Sequence, residues 1–298
     1  MTGSADISII GCGKVGSAIA QLSAGAGRKP VALASRSGAG AQALGELIDA
    51  PDAVCDIPQA AGAAQIILLT VSDDAIEALC DQLAAAGAFA AGSIVAHCSG
   101  ALGSDILSTA RDRCGCRIAS MHPLATFPSA EAAIEKFAGA YCFCEGDESA
   151  VEEIMTLARD IGARPMSIRP ESKVLYHAAA VMACNYLTAL LDASAALCAA
   201  AGIDRQTALK AMAPLAEATL GNVARLGPAE ALTGPIARGD AKTVARHMDA
   251  LAECDADLRE FYRIAGKWAL QLATTRGDRD AAVDAAVARL LDAPRRQE

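Results

Sequence analysis

Two hydrophobic patterns divide this chain. Up to about residue 170, short apolar runs at 8–10, 31–34, 53–55, 65–71 and 93–97 alternate with stretches of helical periodicity, and further runs follow at 117–121, 141–144 and 164–168. Runs that are apolar at successive positions fit strands covered on both faces, and helices recurring between them connect parallel neighbours. Helices are predicted around Glu131 and over 148–161. From about Glu171 the strand signal stops, and the segments 171–201, 205–226, 241–251, 255–275 and 279–291 all read as helices. The predicted fold class is α/β: an N-terminal domain (1–170) with a mostly parallel sheet, followed by an all-α C-terminal domain (171–298).

The segment 171–201 is apolar on most faces instead of along one stripe, so it needs cover from several sides. Either the helices of its own domain surround it or a second subunit does, and a homodimer through the C-terminal helices is expected. The apolar stretches are expected to be broken by charged or polar residues before they reach membrane-spanning length. No basic region precedes an apolar segment at the start, so a cytoplasmic protein is expected. The tail after Pro294 is expected to fray.

Composition narrows the function. The chain has 298 residues and a formal net charge of -9, a balance that disfavours a dedicated nucleic-acid binder. Its 11 cysteines are scattered through apparent strands and helices without the CxxC spacing of zinc or redox sites. Cys142 and Cys144 share one face of an alternating strand, but small buried thiols are the expected reading and no metal is predicted.

The first strand leads into Gly11-Cys12-Gly13-Lys14-Val15-Gly16 and then a small-residue helix. In a Rossmann turn the first glycine permits the tight bend, the second admits a pyrophosphate, and the third lets the helix pack on the strand. The helix amino terminus then offers unpaired N–H groups to the phosphates. A dinucleotide is therefore the predicted cofactor. NAD-specific domains place a carboxylate after the second strand, but here Ser35-Arg36-Ser37 offers a guanidinium fork flanked by hydroxyls. That choice predicts NADP. Val71 and Ser72, and His97 and Ser99, lie at later strand ends and are further candidates for cofactor contact. Ser72 or Asp73 is also placed to cap the next helix.

Candidate chemistry lies at His122-Pro123 after the strand predicted at 117–121, and at Lys173 and His177, four apart on one helix face. Tyr176 is an adjacent alternative to these proton donors. Asn185 follows in an apolar run where an amide needs partners. Lys173 is suited to binding a substrate carboxylate or donating to a carbonyl, His177 to assisting proton transfer, and Asn185 to orienting substrate. Thr233 and Arg238, in the interruption Leu232-Thr-Gly-Pro-Ile-Ala-Arg-Gly-Asp240, either line a pocket or serve the helix linker. His247 fits surface or interface packing.

Taken with His97-Cys-Ser-Gly-Ala-Leu102, Met121-His-Pro-Leu-Ala-Thr-Phe-Pro128 and Lys173-Val-Leu-Tyr-His177, the chain resembles bacterial Rossmann-like proteins with a C-terminal domain of unknown function, DUF2520. The resemblance implies a fold similar to the 6-phosphogluconate dehydrogenase superfamily, with a helical, often dimerising, second domain. That superfamily repeatedly uses a lysine at the position of Lys173, and His177 stands where several branches have asparagine. His122-Pro123 looks like the histidine-proline element of prephenate dehydrogenases. The expected function is an NADP(H)-dependent oxidoreductase of a small oxo-acid or related carbonyl compound, ketopantoate-like. The alternatives are a prephenate-like dehydrogenase, hydride exchange between NADP and a deazaflavin, and a non-catalytic NADP(H)-sensing dimer.

Overall fold

The computed structural model describes residues 5–126, 134, 137, 139–277 and 279–292. Its sheet contains β1 (Ile7–Ile10), β2 (Ala32–Ala34), β3 (Ile66–Leu69), β4 (Ile94–His97), β5 (Arg117–Pro123), β6 (Tyr141–Gly146) and β7 (Arg164–Ser167), in the order β2-β1-β3-β4-β5-β6-β7. Every neighbouring pair is parallel except β5 and β6, which run antiparallel with His122 opposite Phe143 and Ser120 opposite Glu145. The apolar runs explain the central strands: β1, β3 and β4 are buried at every position.

Alternation along the strands sends side chains to two cores. On one face Ile7, Ile9, Ile66, Leu68 and Met121 meet α1 (Lys14–Gly25), α2 (Ala39–Leu47) and α6 (Glu148–Asp160). On the other, Ile10, Ile67, Leu69, Val95 and Ile118 meet α3 (Ile57–Gly62), α4 (Asp73–Ala85) and α5 (Ser108–Cys114). Each fully buried isoleucine or leucine contributes about 1.5–3 kcal/mol of burial, so both layers are firmly held. Beyond them, α7 (Lys173–Ala200) begins after a short 3-10 turn.

Two compact units divide at Val181 and Met182, inside α7, so the first turns of that helix belong to the sheet unit rather than to a helical domain starting at 171. The second unit continues through α8 (Arg205–Leu226), α9 (Pro228–Ala231), α10 (Gly234–Arg238), α11 (Ala241–Ala250), α12 (Ala256–Thr274) and α13 (Ala281–Asp292). Its core among the described residues is small: Val244, Met248, Leu270, Val287 and Leu291.

Several expectations need correction. The strand predicted at 53–55 is a 3-10 turn, Pro51–Ala53, because Pro51 and Asp52 favour a turn and only Val54 bridges to Leu33. The helix expected around Glu131, Phe127 with Pro128, and the tail after Pro294 lie outside the described residues. Among the described residues, no part of the most apolar 18-residue window of Pro170–Ala200 is buried. That window has a mean hydropathy of 1.5, and by length and composition alone the helix is long and apolar enough to cross a bilayer. The expectation that charge interrupts every apolar stretch fails here because no Asp, Glu, Lys or Arg stands between Lys173 and Asp192.

Candidate functional site at the carboxyl edge of the sheet

The glycine turn is built as its sequence requires. Gly11 has a φ of 112° and lies so close to β3 that a Cβ there would sit 2.6 Å from the Thr70 carbonyl carbon. The Thr70 hydroxyl donates to the Gly11 carbonyl at 2.7 Å, fixing the turn to the neighbouring strand. A Cβ on Gly16 would fall 2.1 Å from the Gly11 oxygen, so only glycine lets α1 start this close. Gly13 is different: a Cβ there would meet nothing within 4 Å, and the space above it is open. Gly13 is also the N-cap of α1 and supplies no side chain to its N–H groups. Gly13 and Lys14 are exposed, Cys12 and Val15 half-buried.

The β2 loop lies beside this turn. Gly11 N–H donates to the Ala34 carbonyl at 2.8 Å, and a Cβ on Gly40 would be 3.6 Å from the Cys12 carbonyl oxygen. The Ser35 hydroxyl accepts from Ala41 N–H, while Arg36 and Ser37 are exposed. Val71 is half-buried and Ser72 exposed at the β3 end; Ser72 is the N-cap of α4 but makes no side-chain cap bond.

His97 and Ser99 do not present free groups to a ligand. One His97 nitrogen, Nε2, donates to the Gly103 carbonyl at 3.0 Å and the other, Nδ1, accepts from Ser99 N–H at 3.1 Å. The ring is fully buried, and burial pushes its pKa down to about 3, with the positive Lys173 adding to the shift. The Ser99 hydroxyl donates to Asp73 at 2.7 Å and accepts from Ala101 and Leu102 N–H. Their polar atoms brace the loop after β4, where backbone groups need partners.

Lys173 is likewise committed inward. It is 1% exposed, bonds to the Ser120 hydroxyl, and pairs with Glu145, 0% exposed on the side chain, at 3.1 Å. Glu145 also accepts from Ser104, through the backbone N–H at 2.9 Å and the hydroxyl at 2.8 Å. Desolvation lowers the lysine pKa and the carboxylate opposes that shift. The pair thus pins α7 to β5, β6 and the segment after β4. In this arrangement the Lys173 ammonium is held by Glu145 and Ser120 and serves as an anchor. Glu145 and Ser104 escaped sequence reading; the available signal was a lone carboxylate inside the strand Tyr141-Cys-Phe-Cys-Glu-Gly146.

What the anchor positions lies one turn on. Tyr176 and His177 leave the same helix face as Lys173 and reach the end of β5. The Tyr176 hydroxyl is 2.9 Å from His122 Nδ1, and the His122 and His177 rings meet edge to face with centroids 5.9 Å apart. Gly100 passes beneath both rings: its Cβ would lie 2.7 Å from His122 Nε2 and 2.5 Å from His177 Nδ1. That His177 nitrogen is buried and has no hydrogen-bond partner among the described residues. Burial, Lys173 and His177 together push His122 down to about 4, and burial pushes the Tyr176 phenol well above its ordinary value. Both groups are therefore neutral at pH 7.

The remaining candidates are in the second unit. Asn185, Thr233, Arg238 and His247 are exposed there, with His247 Nδ1 2.8 Å from the Tyr262 hydroxyl. Thr233 is the N-cap of α10 without a side-chain cap bond. Arg276 and Arg279 tie the carbonyls of residues 229, 232, 236 and 237, which makes the Thr233–Asp240 interruption a braced linker.

The Rossmann-like domain model matches residues 3–123, and the model for a domain of unknown function, DUF2520, matches residues 140–268. The chain carries a Rossmann-like domain followed by a DUF2520 domain. The DUF2520 match opens at the last two strands, so the Lys173–Glu145 pair lies within it, while His122 and Ser120 come from the Rossmann-like part. No protein with a curated description matches the chain. Among solved structures, protein TM1727 from Thermotoga maritima has 23% identity and a TM-score of 0.72, covering 91% of this chain and 99% of that one. A reductive aminase from Aspergillus terreus in complex with NADPH and ethyl-5-oxohexanoate has 16% identity and a TM-score of 0.61, covering 97% and 93%. A pyrroline-5-carboxylate reductase from Coxiella burnetii has 16% identity and a TM-score of 0.59, covering 92% and 98%. These likenesses establish the shared fold.

Proposed function

We propose that this Rossmann-like DUF2520 protein is an NADP(H)-dependent oxidoreductase that reduces a C=O or C=N bond of a small molecule. The observation that carries the reading is the glycine turn: Gly11 is closed against the end of β3 and Gly16 against the Gly11 carbonyl, whereas Gly13 stands open under an uncapped helix terminus. Those features fit a pyrophosphate. The exposed Arg36 and Ser37 beside the turn fit a 2′-phosphate, to which the guanidinium presents paired N–H donors. NADPH, which the Aspergillus terreus reductive aminase structure contains, would supply the hydride.

The chain's own residues would then handle the heteroatom. With the Tyr176 hydroxyl donating its hydrogen bond to His122 Nδ1, the ring hydrogen sits on Nε2, and a neutral imidazole N–H polarises a carbonyl or imine without placing a charge beside Lys173. His177 lies next to that position. Lys173 holds the helix that brings Tyr176 and His177 there. The exposed apolar residues of α7 and α8, among them Met182, Tyr186, Leu215 and Leu220, support a second copy of the chain as their cover.

The test is NADPH oxidation by the purified protein with a panel of ketones, 2-oxo acids and cyclic imines. Consumption that depends on one of them, lost in His122→Ala while NADPH still binds, is expected. Binding of NADPH without oxidation by any of them supports a nucleotide sensor instead, and no binding removes the reading altogether.

A further inference from the structure

A histidine gives up a proton in two ways. An imidazolium releases one outright, whereas a neutral ring loses the hydrogen on one nitrogen only if another proton enters at the second nitrogen in the same step, because an imidazolate is far too basic to form at neutral pH. His122 is of the second kind. Burial, the Lys173 ammonium and His177 hold its ring neutral, and Asp73, which pulls the other way, has its carboxylate engaged by the Ser99 hydroxyl at 2.7 Å. What meets each ring nitrogen then decides what the ring does.

At Nδ1 stands the Tyr176 hydroxyl, 2.9 Å away. This phenol is held twice: Lys173, on the same face of α7, pins the helix, and the Tyr176 ring lies on Phe143 with centroids 4.3 Å apart. Burial raises the phenol well above its ordinary range, so it meets Nδ1 with its hydrogen in place. Tyr176 is half-buried, with part of its surface open to water. Nε2 faces Gly100, where a Cβ would lie 2.7 Å from it, so any residue with a side chain would cover the nitrogen. The ring therefore carries a phenol donor on one nitrogen, and its other nitrogen stands over a position without a side chain.

We infer that Tyr176 and His122 form a neutral proton relay for the proposed reductase, in which the proton enters at the Tyr176 hydroxyl and leaves from His122 Nε2. The inference rests on the reductase reading and deepens it by assigning the source of the proton. As the substrate carbon accepts a hydride from NADPH, the Nε2–H bond breaks and an O–H or N–H bond forms on the substrate heteroatom. In the same step the Tyr176 O–H bond breaks and an N–H bond forms at Nδ1. Water returns a proton to the Tyr176 oxygen, so each turnover oxidises one NADPH and takes up one solvent proton. Proton exchange with water then restores the Nε2–H form of the ring.

Histidine nitrogen-15 spectra of the full-length protein at neutral pH test the relay without a substrate. The chain has four histidines, and His247, whose Nδ1 lies 2.8 Å from the Tyr262 hydroxyl, is an internal comparison. His122 is expected with its hydrogen on Nε2 and a bare, hydrogen-bonded Nδ1. In Tyr176→Phe, which keeps a ring on Phe143, the Nδ1 signal should move toward that of an unbonded ring nitrogen while His247 stays unchanged. The same variant is expected to lower kcat by about a hundredfold or more on any compound that oxidises NADPH, with KM and NADPH affinity within about threefold. If circular dichroism shows that it fails to fold, biosynthetic replacement of the four tyrosines by 3-fluorotyrosine, a stronger donor, should shift Nδ1 of both His122 and His247.

Hydrogen on His122 Nδ1, a charged His122 at neutral pH, or a His122 signal unmoved by Tyr176→Phe or by fluorotyrosine overturns the relay. Wild-type kcat in Tyr176→Phe overturns it as well. In each of these cases turnover by the wild type leaves the reductase reading standing. The expected tautomer with no NADPH oxidation by any ketone, 2-oxo acid or cyclic imine removes the reductase reading, and the relay falls with it for want of an acceptor.

Discussion

Replacing Lys173 with methionine separates an anchor from a proton donor. The substitution preserves much of the side-chain length but leaves Glu145 buried with only the two Ser104 donors. Removing one partner from a buried ion pair costs about 3–5 kcal/mol, most of it the penalty of an uncompensated charge. In a unit of this size, about 2–4 °C of melting temperature is lost per kcal/mol, so a fall of about 10 °C is expected. The double variant Lys173→Met/Glu145→Leu removes both charges and should recover most of the loss, because well-packed apolar replacements of buried pairs are often neutral or better. Denaturant unfolding of the wild type, both single variants and the double variant closes the cycle, with a coupling above about 2 kcal/mol expected. A Lys173→Met protein as stable as the wild type would refute the anchor. So would a double variant no better than the worse single one.

Three further outcomes follow from the site. His97 and His122 are held at about 3 and about 4, below the ordinary 6.5, so the unfolded chain binds protons that the folded chain refuses. Stability should therefore fall as pH drops below about 6.5, by about 2 kcal/mol for His97 at about pH 5 and by less for the half-buried His122; urea midpoints unchanged between neutral pH and pH 5 would contradict this. Gly16→Ala should weaken NADPH binding by about tenfold or more, since its Cβ must push the Gly11 carbonyl out of the turn; unchanged affinity argues against phosphate binding there. Gly100→Ala should leave NADPH affinity within about twofold but reduce turnover by about tenfold to a hundredfold by displacing both imidazoles, and equal turnover would show that they stand outside the chemistry.

The architecture was largely legible because its signals are local. Strands buried on both faces appear as continuous runs such as Ile66-Ile-Leu-Leu69, and the glycine turn encodes its own geometry. The antiparallel sense of β6 was not legible, since a strand has the same period in either direction. Pairing decided the site. Lys173 and His177 were correctly placed on one helix face, but whether a lysine meets solvent or a carboxylate depends on Glu145 and Ser120, which come from other strands. His97 and Ser99 stand at a strand end, as a cofactor contact would, and yet the nearby backbone consumes their polar atoms. The apolar character of the long helix was visible in sequence; its exposure within one chain was not.

Arg36 gives the sharpest test of dinucleotide recognition. Dissociation constants for NADPH and NADH, measured by equilibrium titration of the wild type and Arg36→Ala at one fixed salt concentration, isolate the 2′-phosphate contact. The wild type should prefer NADPH, and the variant should lose about tenfold or more in NADPH affinity with NADH within about twofold, because a charge-assisted bidentate contact contributes about 1.5–3 kcal/mol. A wild type that binds neither nucleotide, or an Arg36→Ala variant with the wild-type preference, would contradict the assignment.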